Sequence, residues 1–101
     1  MAVTAELTPD GKKLTLAIKG RFDFGRHHDF RDAYERLEHT PDQYVVDLKD
    51  TTYVDSSALG MLLLLRDHAG GDESDVRIVN CNPDVRKIFA ISNFDKLFDI
   101  S

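Results

Sequence analysis

The chain of 101 residues contains one cysteine, Cys81. No internal disulfide can form, and a reducing compartment suits the chain. Cys81 follows a strand-like run and reads as a small, half-buried filler rather than a redox or catalytic group. Positive charge is scarce: 13 Lys and Arg against 18 Asp and Glu leave a net charge of −5. No basic cluster exceeds a pair, which argues against a nucleic-acid partner. An acidic surface suits solubility and contact with proteins instead. Long hydrophobic runs are missing too. The longest, Met61–Leu65, falls far short of the roughly 20 residues that span a bilayer. Residues 1–6 carry no basic region followed by an apolar core, so no signal peptide is expected, and the expected location is the cytoplasm with no membrane partner. There is no low-complexity segment, internal repeat or linker. The length allows one compact domain, 1–101.

What is present reads as alternating elements. Pro9-Asp10-Gly11 is a turn signal between Val3–Leu7 and Leu14–Ile18, which together predict an opening β-hairpin ending at Gly20. Phe22-Asp23-Phe24-Gly25 reads as a loop. Phe30, Ala33, Tyr34 and Leu37 recur at helical spacing, which predicts a first helix from Gly25 or Arg26 to His39, broken by Thr40-Pro41. Tyr44–Leu48 predicts an interior strand, apolar on both faces. A second helix is expected from Ser56 or Ser57 to a glycine cap at Gly70-Gly71, and a strand over Val76–Val79. Asn82 and Pro83 suit the start of a third helix, with Val85, Ile88, Phe89 and Ile91 as its apolar stripe. Phe94, Leu97 and Phe98 suggest a short closing strand. The order β-β-α-β-α-β-α-β implies an α/β domain with a mixed, largely parallel sheet.

The richest segment is Tyr53-Val54-Asp55-Ser56-Ser57-Ala58-Leu59-Gly60, followed by Met61–Leu65. A β-type run ends in an Asp-Ser-Ser turn that opens onto an apolar helix. Function in such sheets collects at the carboxyl ends of strands, where Asp55 and also Asp23 lie. Ser56 or Ser57 could simply cap the helix. A phosphate on Ser56 would meet free backbone N–H groups and the helix dipole, and would place negative charge beside Asp55 and Asp23. A nucleophile is the weakest reading: no G-x-S-x-G elbow surrounds either serine, since Ala58 stands at a glycine position for Ser56 and Asp55 at one for Ser57, and His27, His28, His39 and His68 show no spacing tied to the serines. With no G-x-x-x-x-G-K-[ST] loop and no kinase signature, any kinase is a separate protein. The residues alone leave capping and phosphorylation both open.

The helix after the turn is more apolar than a helix on a small sheet needs. Ala58, Met61, Leu62, Leu65 and Ala69 form the face for the sheet. Leu59 and Leu63 flank it on one side and Leu64 on the other. Either neighbouring helices cover these flanks or they form an exposed docking patch beside the serine. The pair His27-His28 does not suggest a metal site, because adjacent helical residues point about 100° apart. No cofactor is expected.

These residues carry a family resemblance over essentially the whole chain. Ile18-Lys19-Gly20-Arg21-Phe22-Asp23, Val45-Val46-Asp47-Leu48, Val54-Asp55-Ser56-Ser57-Ala58-Leu59-Gly60 and Asn82-Pro83-Asp84-Val85-Arg86-Lys87-Ile88-Phe89 together resemble a STAS domain, the fold of bacterial anti-sigma-factor antagonists. The resemblance implies a non-enzymatic regulator that acts by partner switching. The unphosphorylated form binds an anti-sigma factor, a serine kinase or a related target. Phosphorylation of the first serine after the aspartate, here Ser56, blocks binding. A PP2C-type phosphatase, which can be the output domain of a response regulator, reverses it. The chain looks most similar to single-domain antagonists of proteobacterial phosphorelays, whose outputs include motility and biofilm formation.

Asp23, Asp55 and Ser57 would line the recognition surface, and Leu59, Leu63 and Leu64 would add apolar area. An alternative is a non-switching STAS subunit of a larger assembly, stressosome-like or transporter-associated. Two departures stand out: Ala58 replaces the family's common glycine, and the sequence ends at Ser101, where many members continue into a final helix. A dimer is one way to cover the face which that helix would shield, and a monomer or weak dimer is expected.

Overall fold

The computed structural model describes residues 2–101. Strand β1 (Val3–Leu7) pairs antiparallel with β2 (Lys13–Ile18), with Val3 opposite Ile18 and Leu7 opposite Leu14. Asp10 holds their turn by accepting from the Thr8 hydroxyl and the Lys12 N–H, and Gly11 adopts φ +73° to reverse the chain. Strand β3 (Gly20–Phe22), helix α1 (His27–Glu35), strands β4 (Gln43–Asp47) and β5 (Thr51–Val54) and helix α2 (Ser56–Ala69) follow. Strand β6 (Val76–Val79), helix α3 (Pro83–Ile91) and strand β7 (Asp99–Ile100) complete the chain.

The main sheet has the order β1-β2-β4-β6-β7, parallel throughout except for β1. One face of it is apolar. Leu14, Leu16 and Ile18 stand beside Tyr44, Val46, Val76 and Ile78, and all are buried in one core with residues of α1, α2 and α3. The other face carries Thr15, Ala17, Gln43, Asp47 and Arg77, and Val45 is buried among them outside that core. The smallest extent of the molecule is 19 Å, which fits one helical layer on one sheet.

Two further strands do not follow from the sequence pattern, which gives a loop from Phe22 and an unpaired β-type run before Asp55. β3 and β5 form a separate parallel pair, with Phe22 opposite Val54. The chain leaves β2 for β3 at Gly20, whose φ is +82°, and leaves β4 for β5 through Lys49-Asp50. The two departures are tied together. Gly20 N–H donates to Asp50 O at 2.9 Å, and the buried Thr51 hydroxyl donates to Ile18 O at 2.8 Å. Phe22, expected in a loop, is therefore fully buried.

Three boundaries differ from expectation. Helix α1 ends at Glu35 rather than His39, after opening through a 3-10 turn over Phe24–Arg26. The chain must turn early because the Asp42 and Gln43 N–H groups both reach Lys12 O, at 2.8 and 3.0 Å, to start β4 beside β2. The expected strand at Phe94, Leu97 and Phe98 is a 3-10 turn over Phe94–Lys96 followed by β7. Phe94 and Phe98, at helical spacing, stack with ring centres 5.5 Å apart. Ile91, placed on the apolar stripe of α3, is 75% exposed. Asn82, by contrast, caps α3 as expected, accepting from Val85 N–H at 2.8 Å.

Candidate functional site

The site grows out of the β3–β5 pair. Because Phe22 and Val54 are aligned, the residues that follow them, Asp23 and Asp55, leave the ladder side by side. Asp55 N–H donates to Phe22 O at 3.4 Å, the last link between the two loops. The side chain of Asp23 then turns onto its own loop, accepting from Gly25 N–H at 3.0 Å and from Arg21 Nε at 3.2 Å.

Asp55, not a serine, is the N-cap of α2. Its carboxylate accepts from Ala58 N–H at 2.9 Å. This frees both hydroxyls from capping. Ser56 occupies the first helical position and is exposed; Ser57, at the second, is half-buried. An α-helix leaves its first N–H groups without intrahelical acceptors. Asp55 takes those of Ala58 and Leu59, the latter through its carbonyl, so the N–H groups of Ser56 and Ser57 are left for another acceptor at the positive end of the helix.

Down the outer side of α2, Ser56, Gly60, Leu63 and Asp67 follow one another at three- and four-residue spacing and share one face. Leu63 is 40% and Leu64 52% exposed, so neighbouring helices do not cover them. Leu59 differs from the other two: it is half-buried and packed against the core, so it contributes only an edge to the patch. Gly60 stands between Ser56 and Leu63, and a Cβ built on it meets nothing within 4 Å.

Three exposed residues that patterning passed over lie beside the Asp23 and Asp55 loops. Tyr53, the residue before Val54, is 41% exposed. The guanidinium carbon of Arg21 lies 4.1 Å from the centre of the Tyr53 ring. Phe24 is 71% exposed and stacks on His27 with ring centres 5.9 Å apart. Period-two alternation against buried Phe22 and Val54 would have pointed Arg21 and Tyr53 outward, had β3 and β5 been read as paired strands. Among the described residues no group of three or more His, Cys, Asp or Glu is placed to hold a metal ion, and no helix is long and apolar enough to cross a membrane. Cys81 is half-buried beyond β6, and burial raises its thiol pKa.

A two-layer α/β domain with an Asp-Ser-Ser turn opening its central helix defines a class, and the chain belongs to it: the family model described as "Mlab, STAS domain" matches residues 5–99. A STAS-domain containing protein of Pseudomonas aeruginosa (strain UCBPP-PA14) is 65% identical over 101 residues, covering all of both chains. Among solved structures, the anti-sigma factor antagonist SpoIIAA in its unphosphorylated form superposes with a TM-score of 0.80 at 17% identity, over 99% of this chain and 88% of that one. The phosphorylated form of the Bacillus cell fate determinant SpoIIAA gives 0.75 at 16%, over 99% and 91%. The anti-sigma factor antagonists share this fold.

Proposed function

We propose that the protein is an anti-sigma factor antagonist that works by partner switching, with Ser56 as the switch. In this reading the unphosphorylated chain docks an anti-sigma factor, a serine kinase or a related target through the outer face of α2. A separate kinase phosphorylates Ser56 and ends that contact, and a PP2C-type phosphatase restores it. The phosphatase can be the output domain of a response regulator, with motility and biofilm formation as the pathway's output.

One observation carries the reading: Asp55 does the capping, so Ser56 stands exposed on the first turn of α2 with no structural duty. A phosphate there adds about −1.5 to −2 charges at pH 7. The dipole and the free N–H groups of Ser56 and Ser57 accept it, so the fold tolerates the modification. A docked partner does not, because the charge lies on the same face as Leu63 and next to Asp23 and Asp55. Asp55 and Asp23 shape the two loops, Ser57 borders them, and Leu63 and Leu64, with the edge of Leu59, supply apolar contact area.

The test is capture of cellular partners on the full chain as wild type, Ser56→Ala, and a form carrying phosphoserine at position 56. Ser56→Ala should hold a kinase-fold or anti-sigma partner constitutively, and the phosphorylated form should lose it by at least about tenfold, since a buried repulsive charge costs more than the 1.4 kcal/mol of one decade. Equal retention by both forms excludes the switch and leaves a fixed subunit.

A further inference from the structure

Arg21 stands out in a chain of net charge −5. It lies on β3 one residue before buried Phe22, so it points to the solvent side, and its side chain is 61% exposed. Two contacts immobilise it. Its Nε donates to Asp23 Oδ2 at 3.2 Å, and its guanidinium lies over the Tyr53 ring at 4.1 Å. The first contact uses the inner edge of the guanidinium and the second uses one face. The outer edge is empty: among the described residues the two Nη atoms donate to nothing. Of the five N–H donors of an arginine, the four on the two Nη atoms remain, and one from each Nη forms a planar fork that matches a carboxylate. Stacking has already removed much of the rotamer entropy that an exposed arginine loses on binding.

We propose that Arg21 is the receptor for an acidic side chain, Glu or Asp, of the partner protein, with Tyr53 and Asp23 as the residues that position it. The inference deepens the function proposed above, on which it rests, by giving the partner a chemistry. Charge complementarity sets the occupant: Arg21 is the one Lys or Arg within β3 and β5, its outer edge faces solvent, and its neighbours Asp23 and Asp55 would repel an acid placed on the loops themselves. The same arrangement explains how phosphorylation acts. A phosphate on Ser56 is held by the N–H groups of α2, and it repels the very carboxylate that Arg21 receives.

The fork can be probed without the natural partner. Side-chain NMR of the full chain would follow the Arg21 Nε–H during titration with acetyl-Leu-Glu-Glu-Leu-amide and, separately, acetyl-Leu-Gln-Gln-Leu-amide at low salt. The glutamate peptide should shift Arg21 and Tyr53 saturably and the glutamine peptide should not. Arg21→Lys, which keeps the charge but loses the fork, should bind the glutamate peptide about tenfold more weakly. Both peptides binding alike, Arg21→Lys binding like wild type, or equal shifts at Lys12, Lys49 and Arg86, would each overturn the proposal. So would movement of the Arg21 Nε–H on phosphorylation of Ser56 alone, which would assign the fork to the phosphate. Partner capture with Arg21→Glu then separates the two readings. A partner lost with Arg21→Glu supports both. A partner retained by Arg21→Glu and released by the phosphate overturns the Arg21 inference alone. A saturable peptide shift on a chain whose cellular partners ignore the phosphate overturns the switch alone.

Discussion

At the scale of single residues, the arrangement around Ser56 depends on who caps α2. Patterning offers Ser56 or Ser57 as the cap and overlooks Asp55, although Asp ranks with Ser as an N-cap. The backbone of Asp55 decides: it is extended, at φ −107° and ψ −178°, while Ser56 is already helical. Asp55→Ala should therefore lower stability by about 1 kcal/mol in urea titration, and Ser56→Ala should leave the midpoint nearly unchanged. A reversed ranking would return the cap to the serine. The Thr51 hydroxyl joins β5 to Ile18 across the bend between the sheets. Thr51→Val leaves the Ile18 carbonyl without that donor and should cost about 1 kcal/mol in the same assay. Cys81 was legible as a filler from its place after an apolar strand. Its raised pKa predicts alkylation by iodoacetamide at pH 8 slower than that of free cysteine, because less thiolate is present.

Among the elements, α2 divides its apolar residues between two duties. Ala58, Met61, Leu62 and Leu65 are buried, while Leu63 and Leu64 are exposed. Leu62→Ala should cost about 2–5 kcal/mol, whereas Leu63→Lys and Leu64→Lys should stay within about 0.5 kcal/mol of wild type yet weaken partner capture. Thermal melts beside pull-downs separate the two effects. Gly60→Ala should raise stability by up to about 1 kcal/mol, since glycine is the poorer helix former and its Cβ position is open. The 3.6-residue period made α2 and α3 legible, along with their caps at Gly70 and Asn82. The β3–β5 pair was not legible for a physical reason. Each strand has only three or four residues, too few for alternation to register, and the bends at Gly20 and Lys49-Asp50 look locally like strand ends. Arg21 and Tyr53 were missed along with it.

For the molecule as a whole, one helical layer on one sheet places Asp23, Asp55 and Ser56 at the carboxyl end of a parallel pair, as the alternation of strands and helices implied. Burial also gives the fold a pH dependence. Tyr34 and Tyr44 both have pKa values raised above the ordinary 10.0 by loss of solvent, and the Tyr44 hydroxyl is buried without a protein partner. Below pH 10 the folded and unfolded chains both keep these phenolic protons. Above it the unfolded chain releases them first, binds fewer protons than the folded one, and is favoured. Urea midpoints should fall as pH rises past 10, and Tyr44→Phe should flatten the fall. The β3–β5 ladder is narrow. It aligns three residue pairs, with a register shift after the first, where β2 and β4 align five, and its final link is a long 3.4 Å. Amide protons there should exchange with deuterium well before those of Leu16 and Val46, through openings that leave the main sheet closed. That order of exchange would mark the Asp23 and Asp55 loops as a cooperative unit of their own, one that loosens and re-forms while the rest of the domain stays folded.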